Sequence, residues 1–251
     1  TNRMYVSDNY FDSTTLGPWK VGIGPSSDAQ CHWVRDVIYE RNYGKANVSS
    51  TLHVKITAKR VTVRNNIGIS SSTGNYASVM NANTGTCAND PVIVNTANAI
   101  PVPDSNWIGN NTMYHTGPDA PGSLRMVYLD GSLVTGVTNS MAYNNLVYTT
   151  TETSVSTVGT AGTTTGTLPS PLPGTNSTDL QARTVNPFTG TPTTAITFRP
   201  PTTSYAASGG TNLFPAIAED FYLCRDRTGA VRYGALVPAA RAQCAGVAGT
   251  P

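Results

Sequence analysis

Leu52-His53-Val54-Lys55-Ile56-Thr57-Ala58-Lys59-Arg60-Val61-Thr62-Val63 is the stretch that decides the fold class. Leu52, Val54, Ile56 and Ala58 alternate with His53, Lys55 and Thr57, so one side of the segment is apolar and the other polar. A period of two belongs to a half-buried β-strand. The phase slips by one residue at Lys59-Arg60, and Val61 and Val63 then resume the alternation. Such a slip is what a β-bulge produces. The segment therefore reads as one long bent strand, or as two strands meeting at a corner. Its outward face carries Lys55, Lys59, Arg60 and Arg64. A basic strip of this kind suits a phosphate or an acidic partner. The favoured reading is a solvated strand face that resists edge pairing.

The rest of the chain has the same β character. Among 251 residues there are 37 Thr, 23 Gly and 17 Pro, but only 4 Lys and 3 Glu. A helical bundle or coiled coil needs far more Leu, Lys and Glu. A net charge of +2, without a dense basic run, argues against a dedicated nucleic-acid binder. No apolar run approaches the length of a membrane span. Thr1 fits either removal of an initiator Met or cleavage of a leader.

Further strands are expected at Met4–Val6, Trp19–Ile23, Pro91–Val94, Ile100–Val102, Asn144–Thr151 and Ala195–Arg199. Leu124–Leu129 and Ser132–Val137 flank Asp130-Gly131, the strongest short-range hairpin signal. Phe221–Arg225 and Ala230–Val237 flank the turn sequence Asp226–Gly229 and read as a second hairpin. The best helix candidate is Gln30–Tyr43. There Val34, Val37, Ile38 and Arg41 follow helical spacing, with Asp28 as a cap and Gly44 as a stop. Trp33 and Tyr39 keep an extended alternative open. No internal repeat of fixed period is visible.

One segment stands apart in composition. From Gly131 to Thr178 the only charged residue is Glu152. Residues 149–178 are rich in Thr, Ser, Gly and Pro and are expected to pack as an extended arm or interface loop. Thr149, Thr151, Val155, Thr163, Thr164, Thr165, Leu168 and Leu172 are its candidate contact residues, because an uncharged surface is cheaply desolvated.

Little in the sequence points to bond-making chemistry. His32, His53 and His115 are scattered singly, and no ligand spacing typical of a metal site occurs. No Gly-x-Ser-x-Gly elbow and no phosphate-cradling glycine loop is present. His115 is expected in a loop and could serve a triad assembled in space, though a plain loop histidine is the favoured reading. Glu219 and Asp220 are consecutive and diverge on a strand, which is wrong for a paired-carboxylate site. Three sequons, at Asn47, Asn110 and Asn176, carry little weight in a chain this rich in Asn, Ser and Thr. Four cysteines permit two disulfides, and Cys224 with Cys244 brackets a candidate hairpin. Small buried thiols are the alternative.

Two resemblances add alternatives. Tyr10-Phe-Asp-Ser-Thr-Thr-Leu-Gly-Pro-Trp19 resembles the start of secreted glycan-binding or glycan-cleaving β-sandwiches. It implies Trp19, Trp33 and Trp107 as sugar platforms, against the commoner fate of core aromatics. Ala195-Ile-Thr-Phe198 and Phe221-Tyr-Leu-Cys224, followed by an Arg-bearing strand, resemble the C-terminal β-region of minor pilins and pseudopilins. The Cys224/Cys244 spacing resembles the C-terminal disulfide loop of the same proteins.

The expectation from sequence is therefore one all-β domain over residues 1–251, mostly antiparallel. It is a β-sandwich, with a jelly-roll-like topology as one candidate, long irregular loops and at most one or two short helices. The expected function is that of a non-enzymatic subunit without cofactor or metal, assembling with copies of itself and other structural proteins. The assembly is a virus particle or an extracellular surface filament. A glycan- or ligand-binding module and a pilin-like minor filament subunit are the alternatives.

Overall fold

The computed structural model describes residues 4–13, 20–23, 35–46, 53–56, 59–70, 76–80, 105–115, 124–129, 141–149, 155–160, 180–182, 186–208, 210, 219–232 and 234–244. The chain winds through successive coils of three short strands. The first coil holds β1 (Met4–Ser7), β2 (Tyr10–Ser13) and β3 (Lys20–Ile23). The second holds β4 (Arg35–Glu40), β5 (Tyr43–Ala46) and β6 (His53–Ile56). The third holds β7 (Lys59–Arg64), β8 (Ile67–Ser70) and β9 (Tyr76–Met80). The fourth holds β10 (Trp107–Gly109), β11 (Thr112–His115) and β12 (Leu124–Leu129). The fifth holds β13 (Met141–Tyr143), β14 (Leu146–Thr149) and β15 (Val155–Thr160), and β16 (Leu180–Ala182) then adds to β14.

Each strand pairs in parallel with its counterpart one coil on. Three parallel sheets result, in the orders β1-β4-β7-β10-β13, β2-β5-β8-β11-β14-β16 and β3-β6-β9-β12-β15. This is a parallel β-helix, and it overturns the antiparallel β-sandwich and jelly-roll expectation. The only antiparallel pair of strands among the described residues is β17 (Cys224–Asp226) with β18 (Ala242–Cys244).

The described part of the stretch at 52–63 forms two strands in different sheets, not one long bent strand. β6 lies in the third sheet and β7 in the first. The phase slip has a backbone cause. Pairing of β4 with β7 passes from Arg35↔Lys59 to Val37↔Val61, and the skipped Asp36 and Arg60 have φ of 59° and 52°. Arg60 Nε and Nη2 bind the two oxygens of Asp36 at 2.6 and 2.8 Å, and Arg64 binds Glu40. Arg60 and Arg64 are thus ion-paired along the sheet. The Lys55 and Lys59 side chains lie outside the described residues.

The helix expected at Gln30–Tyr43 is absent where the chain is described: Arg35–Glu40 is β4, and Gly44 lies inside β5. Val37 and Tyr39 are buried while Ile38 between them is partly exposed, a strand alternation that helical spacing of Val37 and Ile38 imitates. Leu124–Leu129 is a strand, but it pairs in parallel with β9 and β15 instead of opening a hairpin. Residues 130–140 lie outside the described residues, as do Pro91–Val94 and Ile100–Val102. The turn at Asp226–Gly229 forms, with Gly229 N–H donating to the Asp226 carbonyl at 3.1 Å. Its expected second strand does not, because β17 pairs with β18 instead. Ala195–Phe198 is a 3₁₀ helix, not a strand, so the β-region the pilin resemblance implies is missing there.

Two apolar columns hold the fold together. Inside the coils, Val37, Tyr39, Val61, Val63 and Ile108 are at most 2% exposed. Burial of each such side chain stabilises by about 1.5–3 kcal/mol. On the outer face of the second sheet, Tyr43, Ile67, Ile69, Tyr114, Leu146 and Tyr148 form a second core with Phe188, Phe198 and Leu236. The segment from residue 186 onward therefore folds back over this sheet as a cover. Tyr148, Phe188, Phe198 and Tyr114 are linked by edge-to-face ring contacts of 5.2–6.2 Å.

Candidate functional site: the asparagine-lined corner and the groove beside it

The corner between first and second sheets is the same in every coil. Asp8, Arg41, Asn65, Asn110 and Asn144 sit there with φ between 53° and 60°. Each is followed by an asparagine: Asn9, Asn42, Asn66, Asn111 and Asn145. Asn and Asp tolerate this left-handed conformation best among residues with a Cβ.

The five asparagines form a continuous ladder. The Asn42 side-chain oxygen accepts from the Asn9 backbone N–H at 3.1 Å and side-chain amide at 2.8 Å. The same two bonds join Asn42 to Asn66, Asn66 to Asn111 and Asn111 to Asn145 at 2.9–3.1 Å. Remaining amide hydrogens donate to strand carbonyls, as Asn111 does to Val63 and Asn145 to Ile108, both at 3.0 Å. Buried amides so saturated avoid the desolvation cost of a polar core.

The outward side chains of this corner carry its charge. Arg41 binds both oxygens of Asp8 at 2.7 and 2.9 Å and also reaches Glu40. Glu40 is 1% exposed and is held by Tyr5, Arg41 and Arg64. The Arg41 guanidinium holds the Asp8 carboxyl below its ordinary value, and that pairing raises Arg41 in turn. Further along, the corner is clamped by the cover. Asn65 donates to the Glu219 carbonyl at 2.8 Å, and Asn110 donates to the Arg232 carbonyl at 3.0 Å. Arg232 is 2% exposed and donates to Asn65 and the Glu219 carbonyl, and burial pushes it down to about 10.

Where the cover ends, an open groove of about 470 Å³ remains between it and the first two coils. Tyr10, Arg41, Tyr43, Thr193, Phe221 and Tyr222 are among its walls. The Tyr10 ring stacks on Tyr43 at 5.1 Å and is 67% exposed, while Tyr43 is 5% exposed. The groove offers aromatic faces and one ion pair. A concave wall with apolar faces and a few polar groups has the make-up of a ligand-binding groove.

The candidate residues from sequence fall elsewhere. Cys224 and Cys244 are joined by a disulfide across β17 and β18. Thr149 ends β14 and Val155 begins β15; Thr151, Thr163, Thr164, Thr165, Leu168 and Leu172 lie outside the described residues. His115 ends β11 instead of occupying a loop, and His53 begins β6. Among the described residues no three His, Cys, Asp or Glu side chains converge to hold a metal, and no helix is long and apolar enough to cross a membrane. Trp107 lies in β10 and is partly buried, whereas Trp19 and Trp33 are outside the described residues. Asn110 is 2% exposed, with its amide engaged by the cover, so this sequon is closed to glycosylation in the folded protein.

Asp220 diverges from Glu219, as consecutive carboxylates on extended backbone do. It is fully buried and accepts from the backbone N–H groups of Tyr222, Cys224 and Val237 at 2.8–3.1 Å. Its role is to fold the cover. The asparagine corner itself was the feature sequence reading missed. Its signal is Asp-Asn, Arg-Asn or Asn-Asn, with the final Asn recurring at intervals of 24 to 45 residues. No family model matches the chain, and neither the curated proteins nor the solved structures searched contain a match.

Proposed function

We propose that the protein is a non-enzymatic structural subunit that assembles with copies of itself through the open face of its first coil. The assembly is a virus particle or an extracellular surface filament. One observation carries this reading: the apolar columns run out into solvent at the first coil. Met4 is in register with Val37 and Val61, which are 1% and 0% exposed, yet Met4 is 56% exposed. Among the described residues no cap covers this face, and an uncapped solenoid face takes another layer. The unpaired edges of β1, β2 and β3 in the described topology add backbone donors and acceptors to that face. Stacking a further copy head to tail continues the parallel ladders and gives an open, fibre-forming contact.

Light scattering across a concentration series tests the proposal. The native protein is expected to grow in mass with concentration, and Met4→Asp to remain monomeric with an unchanged β circular-dichroism signal. A native protein that stays at 26 kDa throughout, or a Met4→Asp variant that assembles normally, overturns it.

The Tyr10–Tyr43 stack favours a second reading, a glycan-binding module, since an exposed aromatic face in a polar-rimmed groove suits the apolar side of a sugar ring. A glycan screen in which Tyr10→Ala abolishes binding supports that reading; a blank screen removes it.

A further inference from the structure

The Cys224–Cys244 disulfide closes the part of the cover that clamps the asparagine corner. Within that part the Arg232 carbonyl accepts from Asn110 at 3.0 Å, and the Gly234 N–H donates to the Asn144 carbonyl at 2.8 Å. The two ends of the bridge differ. Cys224 is fully buried, whereas Cys244 is partly exposed. Arg199 Nη2 lies 3.8 Å from the Cys224 sulfur, and the guanidinium lies 5.4 Å from the centre of the Tyr222 ring. Arg199 is itself buried, and its Nε and Nη1 have no hydrogen-bond partner among the described residues. No carboxylate among those residues bonds to it. Asp220 accepts from the backbone N–H groups of Tyr222, Cys224 and Val237, and Glu219 pairs with Arg225.

A buried guanidinium without a counter-ion is costly. A neutral disulfide sulfur is a weak acceptor and relieves little of that cost, whereas a thiolate at the same place brings the missing negative charge. Burial disfavours a thiolate, and the Asp220 carboxylate, bound to the Cys224 backbone N–H at 2.8 Å, repels it. The Asp220 charge is spread over three N–H groups, while Arg199 has no anion bonded to it, so attraction outweighs repulsion. Tyr222 stays neutral, because burial raises its phenol above the ordinary value. We propose that the Cys224–Cys244 bridge is a thiol-exchange site, opened by a small external thiol that attacks Cys244 and expels Cys224 as a thiolate paired with Arg199. The attacking sulfur forms a new S–S bond to Cys244, the Cys244–Cys224 bond breaks, and its electron pair leaves on Cys224. A second external thiol then attacks the external sulfur of the mixed disulfide. Cys244 is released and takes up a proton, and the two external thiols, having lost two electrons to the bridge, leave as their own disulfide. A more acidic thiol leaves faster, so Arg199 sets the direction of opening. Exchange acts on the clamp at Asn110 and Asn144, and the site is independent of the assembly face.

Mixed-disulfide mapping on the native chain tests the direction of opening. The chain is exposed to millimolar reduced glutathione, quenched with acid and mapped by mass spectrometry. Glutathione is expected on Cys244; an adduct on Cys224, or a bridge left intact, overturns the proposal. The part played by Arg199 is read at equilibrium in glutathione redox buffers. Arg199→Met replaces an unpaired buried charge with an apolar side chain, a change that folded proteins tolerate. Its bridge should be reduced at least about tenfold less favourably than the native one. Thiolate absorbance of Cys244→Ser gives a second reading. Its Cys224 thiol should titrate at least about one pH unit below the ordinary value of about 8.5, and adding Arg199→Met should carry it above that value. Burial alone places the thiol above the ordinary value in both chains. Equal reduction of the native and Arg199→Met bridges overturns the proposal, and this comparison decides if Cys244→Ser fails to fold. A Cys224 thiol at or above the ordinary value in folded Cys244→Ser overturns it equally.

Discussion

The middle coils and the first coil use the same columns and meet different fates. In the interior column, Val37 and Val61 are sealed between neighbours, while Met4 lies 56% exposed. In the outer column of the second sheet, Tyr43, Ile67 and Leu146 are buried beneath the cover, while Tyr10 is 67% exposed. The asparagine ladder follows the same pattern. The Asn111 side-chain oxygen receives bonds from Asn66 and its amide donates to Asn145, whereas the Asn9 side chain, among the described residues, only donates, to Asn42 and to the Ser7 carbonyl. A coil is stable because it has a neighbour on each side, as expected of a quasi-one-dimensional fold. The first coil has one described neighbour, and this is the physical basis for reading its face as a contact surface.

Paired substitutions sharpen the comparison. Phe198→Ala, in the middle of the covered core, should cost the most, about 3–5 kcal/mol in denaturant unfolding. Asn111→Ala strips the acceptor from the Asn66 backbone N–H and should cost about 3 kcal/mol. Asn9→Ala, which accepts no ladder bond, should cost about 1 kcal/mol or less. Equal losses at the two asparagines would break the distinction between coils. Val61→Ala should cost about 2 kcal/mol, while Met4→Ala leaves unfolding of dilute protein almost unchanged.

The smallest effect is electrostatic. Pairing with Arg41 lowers the Asp8 pKa in the folded state below the ordinary 3.8. The stabilisation is therefore present above that value and is lost as pH falls through the lower, folded-state value. The Asp8 side chain is 61% exposed, so solvent screening keeps the contribution small. Acid unfolding of Asp8→Asn should differ from the native protein above pH 3.8 and converge with it at lower pH.

The local structure was more legible in the sequence than the topology. Alternation at residues 52–63 marked both β6 and β7, and the phase slip marked the skipped residue Arg60 near the start of β7. The same alternation cannot say whether strands pair parallel or antiparallel, because both present one face to a core. Asp130-Gly131 favoured a hairpin by local turn chemistry, yet β12 finds its partners one coil away on either side. The repeat escaped a search for fixed period because the ladder spacing stretches from 24 to 45 residues, with the extra length placed between strands and away from the asparagine corner. Only two residues per coil carry that corner, and Arg41-Asn42 does not look like Asn110-Asn111 until the chain is wound. The groove was out of reach for the same reason: Tyr10, Tyr43 and Tyr222 meet only through the coils and the cover.

Amide hydrogen exchange, measured at low and high protein concentration, tests the contact surface most directly. The account predicts that amides of β1 and β2 gain protection as concentration rises, while those of β7 and β8 in the sealed third coil stay unchanged. Exchange at β1 and β2 that is fast at every concentration would contradict assembly through the first coil.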